Sequence, residues 1–491
     1  MPESALTVKT TPGTHRCSWT LYKPPHEEAW QSEGDVTLLG DSQPAGAVYG
    51  RAPVTYQISS SGGLSAGFPQ KFEYPTVCGE LVNGRDVILV DAMLRSWQED
   101  RGGIMSGANA HFDAWAALVG HGIPRTPDVL VDSGMVQVTH LDSFAARCPI
   151  EEIGYPEKPY EADDPTFQVK FRKDSCQVWS DGDAEVSLEY RISADTGITG
   201  YHFSVAFSPT VTIELKTPVP IKDFFTSWVL PLHGLVSAAT AQNEDITYWS
   251  CSPVIEGDDD PPSRRQFQVF TRSVTQKPYA SESTVPDKHV SSIRLAEGES
   301  LLHLLRRWQS LQTEQNPILD TYDVHSLGSD QASRARFLLL VQALEGLCGH
   351  EERLSGRWAK FEAKRARIID GCRKSLENKD FEYLERTLPR TPENLDDALI
   401  EMLQSLPMNL EPELAESKLV KTVLAQVDKV TTTVGALRYV RNQLSHGKET
   451  FDPYDLHVVA GVLGRVVRGH LFRLLEASHA AQERVLAPPD R

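Results

Sequence analysis

Residues 419–447 read LVKTVLAQVDKVTTTVGALRYVRNQLSHG. Leu419, Val423, Val427, Val430, Val434 and Leu437 recur every three or four positions, the spacing of a core-facing helix. Gly447 predicts the helix stop, and Asp452-Pro453 predicts the N-cap and first residue of another helix. The first helix therefore closes on Arg441-Asn442-Gln443-Leu444-Ser445-His446, with an arginine and a histidine in its final turns, ahead of a short loop and a second helix.

That spacing has chemical content. On a helix Asn442 and His446 are four apart and share a face, whereas Arg441 lies about 140° round from His446 at about 100° per residue. Arg441 and His446 can therefore flank one substrate without touching each other. A guanidinium grips a phosphate through two parallel hydrogen bonds, and an imidazole moves protons near neutral pH. A helix C-terminus also favours the imidazolium form. The plain alternative is a surface pair near a helix end.

Arg-x4-His, with Asn442 after the arginine and Gly447 after the histidine, in an all-helical C-terminal segment, resembles the ribonuclease motif of the HEPN superfamily, in the form carried by ApeA-type anti-phage proteins. The resemblance covers residues 295–491, and residues 34–290 only loosely. It implies RNA cleavage that needs neither metal nor cofactor. The RNA's 2′-hydroxyl attacks the adjacent phosphate and leaves a 2′,3′-cyclic phosphate and a 5′-hydroxyl. In that scheme His446 moves the proton, as base or as acid. Arg441 holds the phosphate and offsets charge in the transition state, and Asn442 orients the phosphate or the imidazole. Similar HEPN proteins carry a polar residue at the place of Glu345, which interrupts the apolar helix Gln342–Leu347. A carboxylate there would fix Arg441; otherwise Glu345 simply reaches solvent from the edge of the core. The resemblance further implies an RNA substrate, tRNA among the candidates, and a composite site built by a homodimer or a higher assembly. It also implies abortive infection triggered by a phage protein at the N-terminal part. One departure stands out: HEPN toxins silenced by nucleotide addition carry a tyrosine two residues after the histidine, where this chain has Lys448. The alternative function is a non-catalytic HEPN scaffold or RNA binder.

Upstream of the motif the same 3.6-residue period continues. Leu301, Leu304, Leu305, Trp308 and Leu311 mark one helix, and Phe337, Leu340, Val341, Leu344 and Leu347 another. Glu351–Leu376 reads as a single helix with an apolar stripe (Leu354, Trp358, Phe361, Ile368, Cys372). Beside it lies a basic one, Arg353, Arg357, Lys360, Lys364 and Arg367. The basic stripe suits a phosphate backbone, or else a solvated helix face interleaved with Glu351, Glu352 and Glu362. Leu395–Leu406 predicts a short helix and Pro453 to about Val485 a final one, in all a bundle of five or six helices. His457 and His470 on the last helix read as surface or core.

Further back the period falls to two. Val186, Leu188, Tyr190 and Ile192, then Phe203, Val205 and Phe207, then Val211, Ile213 and Leu215 alternate, as do Phe167, Val169 and Phe171. Such alternation means half-buried antiparallel strands. Asn83-Gly84 predicts a hairpin turn, Ser180-Asp181-Gly182-Asp183 and Thr196-Gly197 predict further turns, and Phe267 and Val269 a last strand. Helical interruptions are expected near His111–His121 and Ile221–Gln242. The class is α+β multidomain: residues 1–33 a tail or edge segment, 34–290 a β-rich sandwich or distorted barrel with a sensing or regulatory role, and 295–491 a helical bundle. Gly257–Pro262 is expected to be a solvated acidic turn, and Ser281 to Lys288 a linker.

Charge divides in the same place. Residues 1–329 hold 25 Lys+Arg against 43 Asp+Glu, which is −18, and residues 330–491 hold 24 against 24, which is zero; together these make the chain's −18. RNA contact is therefore expected of the C-terminal part. Seven cysteines without a CxxC pair argue against structural zinc or a disulfide framework and for a reducing compartment. With no signal peptide and no membrane-length apolar run in the sequence, a cytoplasmic protein is expected. There is no Gly-rich phosphate loop or HExxH.

Overall fold

The computed structural model describes residues 10–23, 27–50, 55–58, 62, 64–67, 73–100, 107–122, 129–154, 168–195, 204–254, 266–277, 279, 291–322, 332–373, 375–388 and 395–488. The acidic turn Gly257–Pro262, the linker Ser281–Lys288, Thr196-Gly197, Phe167 and Phe203 lie outside them. Two compact units form. One is Met1–Val236, Glu244–His289 and Leu295–Leu302; the other is Ser237–Asn243, Val290–Arg294 and His303–Arg491.

The first unit is built on strands β1 (Gly13–Lys23), β2 (Glu27–Leu38), β3 (Ala45–Gly50), β4 (Thr55–Ile58), β5 (Leu64–Gly67), β6 (Glu73–Leu81), β7 (Asp86–Asp100), β8 (Gly107–Asp113), β9 (Ala116–Gly120) and β10 (Leu130–Val138). The helix α1 (Leu141–Ala145) then precedes β11 (Ile150–Gly154), β12 (Gln168–Phe171), β13 (Gln177–Ser180), β14 (Ala184–Asp195) and β15 (Ser204–Pro220). After α2 (Ile221–Phe224), a π-helical turn Phe225–Val229 and α3 (Leu230–Thr240) come β16 (Ile246–Pro253) and β17 (Phe267–Thr271). Among the described residues, β4–β5 and β11–β12 pair by themselves and the other thirteen strands form one sheet.

Six of the thirteen close into a barrel. β7 pairs with β6, then β1, β2, β3 and β8 follow, and β8 returns to β7, every pair antiparallel. Closure removes the unpaired edges those strands would otherwise expose. The length of β7 permits it: Asp86–Val90 pairs with β9 while Met93–Asp100 pairs with β8. Beyond β9 the sheet runs open through β17, β16, β10, β15 and β14 to β13. The barrel core gathers Cys17, Trp19, Val36, Leu89, Phe112 and Val119, all nearly inaccessible. Trp19 donates its indole N–H to the Ala47 carbonyl at 2.9 Å, and Gly34 lets β2 approach it, since a Cβ there would stand 1.8 Å from the Ala47 carbonyl oxygen.

Two expectations are corrected here. Residues 13–23 and 27–33 are no tail: β1 lies between β2 and β6, and Cys17 and Trp19 are core. The reason lies in their partners, which follow in sequence and leave no local signal. His111–His121 is not helical but holds β8 and β9; Ala-Ala-Leu-Val-Gly is buried throughout between β7 and β17, so pairing overrides the helix preference of alanine. The Asn83-Gly84 turn is present, with Gly84 at φ +76°. At the Ser180–Asp183 turn, the Asp181 carboxylate accepts the N–H groups of Asp183 and Ala184, each at 2.8 Å. The helix expected at 221–242 runs from α2 to α3, with the Phe225 and Trp249 ring centres 5.1 Å apart and the rings tilted by 34°.

The second unit is helical: α4 (Leu301–Thr313), α5 (Ser333–Leu354), α6 (Arg357–Arg373), α7 (Asn378–Thr387), α8 (Leu395–Gln404), α9 (Glu411–Glu416), α10 (Lys418–Gln426), α11 (Thr433–His446), α12 (Pro453–Leu474) and α13 (His479–Leu486). Its core includes Phe337, Leu344, Leu437, Val440, Leu463 and Phe472. Three helices expected to be continuous are broken. The apolar run 419–437 divides into α10 and α11, because Thr432 caps α11 by accepting the Gly435 N–H at 3.0 Å. Glu351–Leu376 divides at Ser355-Gly356, with Gly356 at φ +73°. The last helix divides after Leu474, where Ser478 caps α13. No helix among the described residues is long and apolar enough to cross a membrane.

Candidate functional site

The end of α11 is built as its residues require. Leu437, Val440 and Leu444 face the core. Gly447 takes the left-handed conformation (φ +63°); its N–H meets the Leu444 carbonyl at 3.3 Å, and the Lys448 N–H meets that of Gln443 at 3.1 Å. This six-to-one bond closes the helix. Five residues on, Asp452 caps α12 by accepting the Tyr454 N–H at 2.8 Å, with Pro453 in the first turn. Tyr439 donates its hydroxyl to Glu449 at 2.7 Å, tying the intervening loop back to α11, and this bond raises the tyrosine's pKa.

Of the four expected site residues, three meet. Arg441, half-buried beside the Val440–Leu444 stripe, donates one terminal nitrogen to Glu345 on α5 at 3.2 Å. Its other terminal nitrogen goes to the Asn442 side-chain oxygen at 3.2 Å. Its Nε–H is buried with no acceptor. Glu345 therefore faces the guanidinium while itself reaching solvent. An ion pair this exposed (28% and 44%) contributes about 0–1 kcal/mol to folding, so its effect is orientation and not stability. Asn442 is turned onto Arg441 and not onto the imidazole. His446 stands exposed at the helix end and, among the described residues, makes no hydrogen bond or ion pair. Its imidazole is open to an incoming group.

The basic stripe is not one continuous row. Arg353 belongs to the last turn of α5, where its guanidinium lies 4.8 Å from the centre of the Trp358 ring. Arg357 opens α6, its side chain outside the described set. Lys360, Lys364 and Arg367 follow on α6 at intervals of four and three, on one exposed face without ion pairs among the described residues. No residue of α7 is buried. His457 is exposed, whereas His470 is in the core and hydrogen-bonds the Met402 carbonyl at 2.8 Å. Its pKa is lowered to about 4, chiefly by burial and next by the Arg473 guanidinium, the Met402 bond opposing both.

One residue beside the site had no signal in the sequence. Arg334, in the first turn of α5, donates to the Leu444 carbonyl two residues before His446. A separation of 110 positions leaves no periodic trace.

Among known proteins, residues 49–308, a little over half of the chain, match the family described as ApeA N-terminal domain 1. The chain belongs to the ApeA family. That membership supports an anti-phage defence protein, and the matched ApeA region ends ahead of the helix that carries Arg441 and His446. No curated protein and no solved structure matches this ApeA chain.

Proposed function

We propose that this ApeA-family protein is a metal-independent endoribonuclease effector of anti-phage defence, with the HEPN-like site at the end of α11. The observation that carries the reading is the set Glu345–Arg441–Asn442, which aims a guanidinium that is still partly exposed, on the helix whose last residue is an open histidine. In this reading Arg441 receives a phosphate oxygen and offsets charge as the pentacoordinate phosphorus forms. His446 takes the 2′-hydroxyl proton or gives one to the departing 5′-oxygen. Lys360, Lys364 and Arg367, with Arg353 and Arg357, carry the flanking RNA backbone. Two copies of the chain bring two such sites together as a homodimer or higher assembly, and the β-rich unit answers a phage protein.

A second reading rests on the same contacts: Arg441 is already paired twice within the chain, as a structural arginine would be, which suits a non-catalytic RNA-binding scaffold. Incubating the purified chain and its His446→Ala variant with total cellular RNA separates the two. The ribonuclease reading expects new 2′,3′-cyclic phosphate ends, unaffected by EDTA and reduced about 10²–10⁴-fold in the variant. Equal cleavage by both proteins, or cleavage abolished by chelation, refutes it.

A further inference from the structure

We propose that Arg334 is a positioning residue of the α11 site: from α5 it fixes the last turn of the motif helix, and so the imidazole of His446. This rests on the ribonuclease reading for its catalytic consequence but not for its structural one. The final four carbonyls of a helix have no intrahelical N–H partner and leave its last turn prone to fray. His446 sits in that turn and has no side-chain bond of its own to hold it. Two devices restrain the turn from the helix side, the Gly447 N–H on Leu444 and the Lys448 N–H on Gln443. Only Arg334, among the described residues, reaches a carbonyl of this turn from another helix.

The two arginines divide the work. Arg441 points from α11 to Glu345 on α5, and Arg334 points from α5 to Leu444 on α11, so α5 and α11 are cross-tied in both directions. The side-chain carboxylate of Glu345 aims the guanidinium that would meet the phosphate. The backbone carbonyl of Leu444 carries the tie that sets where the histidine begins. A guanidinium suits the second task, because its planar fork presents donors in a fixed geometry, while a lysine offers a single rotating ammonium. Proton transfer to or from a ribose or phosphate oxygen needs donor and acceptor within about 3 Å, so a frayed turn would lower the rate and leave the binding of RNA unchanged.

The experiment uses the full chain and its Arg334→Gln and Arg334→Lys variants. Hydrogen exchange followed by mass spectrometry compares peptides covering 440–448 with those covering 433–439. Arg334→Gln is expected to speed exchange in the last turn about tenfold and to leave the first turn of α11 and the melting temperature unchanged, with Arg334→Lys in between. Turnover on RNA is expected to fall about tenfold in kcat in Arg334→Gln at constant KM, and affinity for a 2′-O-methyl oligoribonucleotide, which cannot be cut, is expected to stay as in wild type. Unchanged exchange over 440–448 overturns the proposal whatever the activity. Loss of oligonucleotide affinity equal to the loss of turnover overturns it too, since Arg334 would then be binding RNA. If the wild type and His446→Ala cut RNA equally, the ribonuclease reading fails, and the exchange result still decides whether Arg334 fixes the turn.

Discussion

Arg441 is restrained by Glu345 on one side and Asn442 on the other, yet these bonds lie partly in solvent. Removing the charge of Glu345 therefore costs little folding energy, about 0–1 kcal/mol, and releases the guanidinium to wander. Glu345→Gln is expected to melt close to wild type while cutting RNA about tenfold more slowly; thermal melts and turnover check the pair, and a loss of stability matching the loss of activity would mean that Glu345 is structural. His470 gives a test of the opposite kind. Its folded pKa of about 4 is below the unfolded value near 6.5, so between those values the unfolded chain binds the extra proton. Stability is then full above about pH 6.5, falls as pH drops towards 4, and loses about 3 kcal/mol across that window. Denaturant titrations from pH 7 to 4 are expected to show this slope, and His470→Gln is expected to flatten it.

At the scale of elements, caps decide where helices stop. Thr432, Asp452 and Ser478 accept backbone N–H groups at the starts of α11, α12 and α13. Gly447 ends α11 at a positive φ that a Cβ strains. Gly447→Ala is expected to destabilise the helical unit by about 1–2 kcal/mol, and Asp452→Ala by about 1 kcal/mol, both read by urea denaturation. Gly447→Ala should also cost activity, because it loosens the turn that holds His446, whereas Asp452→Ala should not. Equal activity losses in the two would point to a general weakening of the bundle. In the other unit β7 has the comparable part: one strand long enough to pair with β6, β8 and β9 turns a set of hairpins into a closed barrel joined to an open sheet.

Over the whole molecule, all of the net −18 falls on residues 1–329. At physiological salt that field is screened beyond about 8 Å, so it acts on RNA only at close range. A front that keeps RNA away until a trigger arrives predicts that the helical part alone is more toxic to cells than the full chain, and that the toxicity requires His446. The fragment to express begins at Val290 and not at residue 295: Ser291, Ser292 and Ile293 are buried, and the Ser292 carbonyl accepts from Arg484 at 2.8 Å. Circular dichroism must first show it folded, since the helical unit also includes Ser237–Asn243. A folded but harmless fragment would give the front an activating role in place of an inhibitory one.

What the sequence determined by itself was local. The stop at Gly447, the cap at Asp452, the hairpin at Asn83-Gly84 and the strands around Val186 and Ile213 each depend on φ preferences, side-chain acceptors or a period contained within a few residues. Glu345 was legible as a candidate because an acidic residue inside an apolar helix is conspicuous; that it reaches Arg441 is a contact across 96 positions. The burial of β1, the closure of β8 on β7 and Arg334 on Leu444 were decided by tertiary structure. In each case the free energy comes from a partner far along the chain: sheet pairing overrode the helix preference of Ala116-Ala117, and bundle packing brought Arg334 to the Leu444 carbonyl in the last turn of α11.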